Sequence, residues 1–150
     1  MTPIDFAPKV EREVRKIRED EDLCEENREL LLRFKRNLKL DDLSDAYVHK
    51  LLTHVRDMGE QLGETSFEEA TEDDLRDVVE WVQNKDGSPA TKRDHREALK
   101  RFYKWLNGGD YPEKVSWVNT TRKRRNYKLL EKLLTEDDVQ ALIEVAENPR

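Results

Sequence analysis

Ser88-Pro89-Ala90-Thr91-Lys92-Arg93-Asp94-His95-Arg96-Glu97-Ala98-Leu99-Lys100-Arg101-Phe102-Tyr103-Lys104-Trp105-Leu106-Asn107-Gly108-Gly109 spells out a helix with both of its ends. Ser88 offers a hydroxyl to the open amides of a first turn, and Pro89 sits where a missing N–H costs nothing and a fixed φ helps. Leu99, Phe102, Tyr103 and Leu106 recur at helical spacing and predict a buried face. Gly108-Gly109 ends the helix, because glycine accepts the backbone angles that stop it. Lys92, Arg96 and Lys100, four apart and flanked by Arg93 and Lys104, form a cationic stripe on another side.

The chain around this helix follows the same grammar. Thr71-Glu72-Asp73-Asp74 joins a capping hydroxyl to acids in a first turn, where the positive end of the helix dipole favours them, and Leu75, Val78, Val79 and Val82 follow. Ser44 is the expected cap of a long helix carrying Val48, Leu51, Leu52, Val55 and Leu62, closed at Gly63. Leu30, Leu31, Phe34 and Leu38 mark a helix beginning near Glu25 and interrupted at Asp41-Asp42. Phe6, Val10, Val14 and Ile17 mark another that runs into the acidic stretch Glu19 to Asp22.

Downstream, Tyr111-Pro112 with Val115, Trp117 and Val118 suggests an extended segment packed back on the domain. A basic run, Arg122-Lys123-Arg124-Arg125, comes next. Thr135-Glu136-Asp137-Asp138 opens a last helix with Val139, Leu142, Ile143 and Ala146 on one side. Sustained β-branched alternation and solenoid-length repeats are both missing, so the expected fold is all-α: a compact bundle of four or five helices with an extra N-terminal helix and a C-terminal linker. The expected division is an N-terminal helical extension at 1–40, a core domain at 41–110, a basic linker at 111–134, and at 135–150 the first helix of a truncated further domain.

Composition narrows the function. With 35% hydrophobic and 41% charged residues, the core must come from narrow apolar stripes on solvated helices. No apolar run approaches the roughly 18 residues of a spanning helix, and Met-Thr-Pro-Ile-Asp-Phe does not read as a signal peptide, so no membrane partner is expected. The single cysteine, Cys24, suits a reducing compartment, and the expected location is cytoplasmic. Net charge is −6, yet 14 Lys and Arg against 6 Asp and Glu lie between Lys85 and Lys132. That polarisation, about +8 there and about −14 elsewhere, fits a chain that presents its C-terminal half to a polyanion.

Four stretches, in order, resemble the core-binding (SAM-like) domain of tyrosine recombinases of the phage-integrase and Xer type, especially archaeal members. Leu43-Ser44-Asp45-Ala46-Tyr47 with Leu51-Leu52 is similar to the family's first domain helix, although Tyr47 stands where Thr is common and Lys50 where Tyr is. Phe67 to Leu75 is similar to the segment introducing the second helix. Ser88-Pro89-Ala90-Thr91 leading to Phe102-Tyr103-Lys104-Trp105-Leu106 resembles the pattern Ser-x-x-Thr followed by Phe-Tyr-x-Trp-Leu, the most specific of the four. Leu133 to Leu142 resembles the opening of the catalytic domain.

This resemblance implies a parent enzyme that cleaves and rejoins DNA through a tyrosine phosphodiester, with two domains clamping the duplex and copies assembling on paired sites. It also implies that the catalytic Arg, Lys, His/Arg pair and nucleophilic Tyr lie beyond Glu147, so no catalytic residue and no enzymatic activity are expected in this chain. Tyr47, Tyr103, Tyr111 and Tyr127 are not read as nucleophiles, and Tyr103 is assigned to the core or its edge.

The expected DNA-contacting residues form three groups. Thr91, Lys92, Arg93, His95, Arg96, Lys100 and Lys104 lie on the Ser88 helix, Ser44, Tyr47 and Lys50, with His54, on the long one, and Arg122, Lys123, Arg124, Arg125 and Lys128 in the linker. His49, His54 and His95 show no metal-ligand spacing, and no glycine-rich phosphate loop is present, so neither metal nor cofactor is expected. Two other readings remain open: an oligomerisation module using the helices between Phe6 and Leu38, and a small DNA-binding regulator.

Overall fold

Helix α3, Asp45–Leu62, is the centre of the bundle, and α1 (Ala7–Glu19), α2 (Glu25–Leu40), α4 (Glu72–Asn84) and α5 (Pro89–Leu106) all pack on it. A single turn, α6 (Glu113–Ser116), closes against α4 and α5. These features come from a computed structural model that describes residues 5–120, and among them there is no β-strand. None of the described helices is long and apolar enough to cross a membrane.

The capping signals operate locally. Ser44 Oγ accepts from Tyr47 N–H at 3.2 Å, and Ser88 Oγ accepts from Thr91 N–H at 3.1 Å. Thr71 and Asp74 form a reciprocal capping box, each side chain accepting from the other's backbone N–H. Loss of such a cap costs about 1 kcal/mol.

The apolar stripes meet in one core. Val10 and Ile17 of α1, with Leu30, Leu31, Phe34 and Leu38 of α2, join Val48, Leu51, Leu52 and Val55 of α3, so the first two helices are part of the same hydrophobic interior. From α1 to Asn119 the chain forms one compact unit. Phe102 of α5 is its aromatic hub, with ring centroids 4.5 Å from Phe67, 5.1 Å from Phe34 and 5.7 Å from Tyr103 and Trp105. Tilted and edge-on pairs of this kind add about 0.5–1.5 kcal/mol each beyond the area they bury. On α3, Met58 and Gly59 are buried where the stripe pointed to Leu62, which is only half-buried.

The connection between α3 and α4 has little regular structure and is held from two sides. The fully buried Asn27 of α2 donates from Nδ2 to Thr65 O at 3.1 Å and accepts the Phe67 N–H at 2.8 Å. From the other side Tyr103 Oη donates to Phe67 O at 2.7 Å, and Lys114 Nζ donates to the carbonyls of Phe67, Glu68 and Ala70. Buried backbone polar groups need such partners when no ladder supplies them.

The segment after α5 departs from its expected extended form: Pro112 caps the turn of α6, and Val115 and Val118 enter the core. Trp117, half-buried, donates its indole N–H to Lys114 O at 2.6 Å. One turn aims both valines inward while Lys114 reaches the α3–α4 connection. The anticipated helix from Thr135 lies outside the described residues.

Candidate nucleic-acid interface

Helix α5 carries six Lys and Arg against two Asp and Glu, whereas α4 carries one Arg against five acids. A polyanion is therefore drawn to α5 and repelled by α4. His95, Ala98, Leu99, Phe102 and Tyr103 turn into the core and fix the helix's roll, so the cations are distributed over the remaining arc.

The expected cations have different surroundings. Lys92 Nζ donates to Gln83 O at 2.9 Å, and Arg96 Nε donates to Asn119 O at 2.8 Å while Nη1 meets Gln83 Oε1. Gln83 lies in the last turn of α4, where positive charge is favoured, so these two side chains tie α5 to the end of α4. Arg93 lies 3.5 Å from Asp94 and 3.6 Å from Glu97. Lys100 and Lys104 both stand over the Tyr111 ring, 4.7 and 5.1 Å from its centroid. Tyr111 is 50% exposed, and with Lys104 it forms an outward cationic and aromatic patch.

On the other flank α5 runs antiparallel to α3. Arg101 lies over Tyr47 at 5.4 Å, Lys50 pairs with Asp94 at 3.0 Å, and His54 stacks on His95 with centroids 3.9 Å apart. Ser44 is exposed, but its hydroxyl is already used as the α3 cap. Thr91 is exposed too, its hydroxyl 2.9 Å from that of Ser88.

His95 differs from the expected surface residue, being only 4% exposed, with Nδ1 bonded to Thr91 O at 2.9 Å. Its position one turn before Leu99 puts it on the inward face of α5, whereas Thr91 is exposed. Arg122, Lys123, Arg124, Arg125 and Lys128 lie outside the described residues.

Arg101 was missed in sequence, although Arg93-x-x-x-Glu97-x-x-x-Arg101 places it beside the cationic stripe. Also missed are two neighbouring clefts between α1 and α2 that share Val14, Arg18 and Lys35: one adds Arg15 with Glu11 and Glu19, and the other, with Leu32, Arg36 and Lys39, is the more basic. Leu40, 75% exposed, stands at its end. Among the described residues, two side-chain groups have metal-binding chemistry, namely His54 with Asp57 and His95, and Asp20 with Asp22 and Glu60. Neither is visible from sequence spacing, because each joins different parts of the fold.

In comparison with known families, a model described as "Phage integrase, N-terminal SAM-like domain" matches residues 30–113. No curated protein and no solved structure matches the chain. The matched region starts within α2 and ends at the first residue of α6, so it takes in α3, α4 and α5 whole.

Proposed function

The chain belongs to the phage-integrase N-terminal SAM-like domain family, and from that premise we propose that it binds duplex DNA as the core-binding half of a site-specific tyrosine recombinase. The match is to the N-terminal domain of integrases and not to a catalytic one. In this reading strand cleavage and rejoining belong to a following domain, the part of the expected 111–134 linker beyond Asn119 is the passage toward it, and 135–150 is its first helix. The parent works as an oligomer on paired sites.

The observation that carries the reading is the net cationic α5, with Lys104 and Tyr111 directed outward and Lys100 beside them. Ammonium groups held at an aromatic ring reach a phosphate backbone without first breaking an ion pair. Lys92 and Arg96 have a double duty, since their present acceptors are uncharged oxygens that a phosphate outcompetes. Tyr47, Lys50 and Arg101 extend the surface across the α3–α5 seam, and the basic run Arg122, Lys123, Arg124, Arg125 and Lys128 adds sequence-indifferent phosphate contacts. Contacts of this type position the protein and carry little sequence information.

Duplex binding measured by fluorescence anisotropy across a salt series tests this. If about five phosphates are neutralised, log affinity falls against log salt with a slope of about −4 to −5. Lys100→Ala with Lys104→Ala is expected to make the slope shallower by about 2, while Lys9→Ala with Lys16→Ala on α1 leaves it unchanged. No binding at low salt, or equal effects of the two pairs, overturns the reading.

A second reading, oligomerisation through the N-terminal helices, is favoured by the exposed Leu40 beside the α1–α2 cleft. Sedimentation of the chain without DNA separates the two, because a DNA-binding half needs no self-association and an oligomerisation module does.

A further inference from the structure

Where α3 and α5 pack, three side chains from different parts of the sequence converge. His54 and Asp57, one turn apart on α3, meet His95 of α5, and one ligand atom from each lies within 4.8 Å of the others. His95 is only 4% exposed, and its Nδ1 sits 2.9 Å from Thr91 O. A carbonyl can only accept, so Nδ1 carries the proton and Nε2 of the neutral ring is a bare lone pair. That Nε2 has no hydrogen-bond partner and stands 3.7 Å from Asp57 Oδ2. A lone pair facing a carboxylate at this range calls for positive charge between them. His54 Nδ1 is buried and unpartnered as well.

We propose that His54, Asp57 and His95 bind a divalent transition ion, with Zn²⁺ the best fit, as a clasp between α3 and α5. Two imidazoles and one carboxylate make a borderline donor set that suits zinc and discriminates against magnesium and calcium, which want oxygen cages. The Nδ1–H···O=C bond of His95 is the outer-shell contact that orients a metal-binding imidazole. Tetrahedral ligands on zinc stand about 3.3 Å apart, so the three donors close from within 4.8 Å and the stacked His54 and His95 rings turn their nitrogens toward one point. Half-exposed Asp57 leaves the fourth position open to water.

The proposal does not depend on the DNA reading, and its test uses no DNA. The full chain is titrated with Zn²⁺ against a competing chelating dye at neutral pH, and its thermal midpoint is followed with and without the ion. The expected result is one equivalent bound at micromolar or tighter affinity, a midpoint raised by zinc but not by Mg²⁺, and Co²⁺ giving the absorption of a tetrahedral site. His54→Gln and Asp57→Asn, both at half-exposed positions, are each expected to weaken binding at least tenfold. Asp22→Asn, in the separate carboxylate group, is expected to leave it unchanged. Absence of stoichiometric uptake by the wild-type chain, wild-type affinity in both variants, or equal binding of Mg²⁺ overturns the proposal. The first result would mean that a proton alone bridges His95 and Asp57.

Discussion

Replacing Asn27 with Leu removes one side of the clamp that holds the α3–α4 connection, and its cost follows from the geometry. Asn27 is fully buried, accepting from Phe67 N–H at 2.8 Å and donating to Thr65 O at 3.1 Å. Leucine has similar bulk and neither hydrogen-bonding group. The Phe67 amide is then stranded in a dry site, at about 1–3 kcal/mol, whereas the half-buried Thr65 carbonyl finds water and forfeits only about 1 kcal/mol. The added apolar surface returns about 1 kcal/mol, leaving a net loss of about 2 kcal/mol.

Urea unfolding followed by circular dichroism is the assay, and with a slope of about 1–3 kcal/mol/M the midpoint falls by about 1 M. Thr65→Ala is the control, because Asn27 addresses the carbonyl and not the side chain, and it is expected to stay within about 0.5 kcal/mol of wild type. If Asn27→Leu lies within about 0.5 kcal/mol of wild type, or Thr65→Ala costs as much, the clamp does not hold the connection.

Gly59→Ala places a methyl 2.8 Å from Leu23 Cδ2 and 3.1 Å from the Phe67 ring, both in the core. Overpacking of about 1–3 kcal/mol outweighs the ~1 kcal/mol that alanine contributes to a helix, so a net loss of about 1 kcal/mol is expected in the same assay. A stabilised variant would show that the seam between α3 and the connection is looser than these distances imply.

Arg56 is shared among the buried Glu13, Asp20 at 3.5 Å and Glu60 at 2.7 Å, three carboxylates around one guanidinium. Burial and the neighbouring Asp20 push the Glu60 carboxyl up to about 7, against the pull of Arg56. A folded-state value above the unfolded one means that this stabilisation is complete below about 4.5 and is lost as pH rises through about 7. Glu60→Gln is expected to be favoured over wild type at about pH 8 more than at about pH 5, read from urea midpoints at both. An opposite or absent trend would put the Arg56 ion pair in control of Glu60.

Some of the α5 surface was legible in advance and some was not. Lys92, Arg93, Arg96, Lys100 and Lys104 are on a helix whose buried face was readable from Leu99, Phe102 and Tyr103, since three- and four-residue spacing fixes direction around an axis. Their partners were not readable, because Gln83, Asn119 and Tyr111 reach them only after α4, α6 and the intervening turns have packed. His95 was assigned to the surface from its place with Thr91 near the N-terminal end of α5, and Glu13 and Asn27, being polar, drew no notice. Glu13 and Asn27 are buried because a partner from a distant element, Arg56 or Phe67, meets each inside the bundle, and His95 is buried where α5 packs its ring on His54 of α3.

What the sequence determined alone is what depends on neighbours a few residues away: the caps at Ser44, Thr71 and Ser88, the apolar stripes, the stop at Gly108-Gly109 and the all-helical class. It also carried the family, through helix-start and core motifs whose order survives without knowledge of their packing. Tertiary structure alone decided which helices meet, and hence which charges are spent inside and which remain outside. An ion pair or a pair of stacked imidazoles joins residues some 40 positions apart, as Glu13–Arg56 and His54–His95 do. No local periodicity encodes that distance; it is set when α3 receives the other helices and buried polar groups must find partners among what those helices bring.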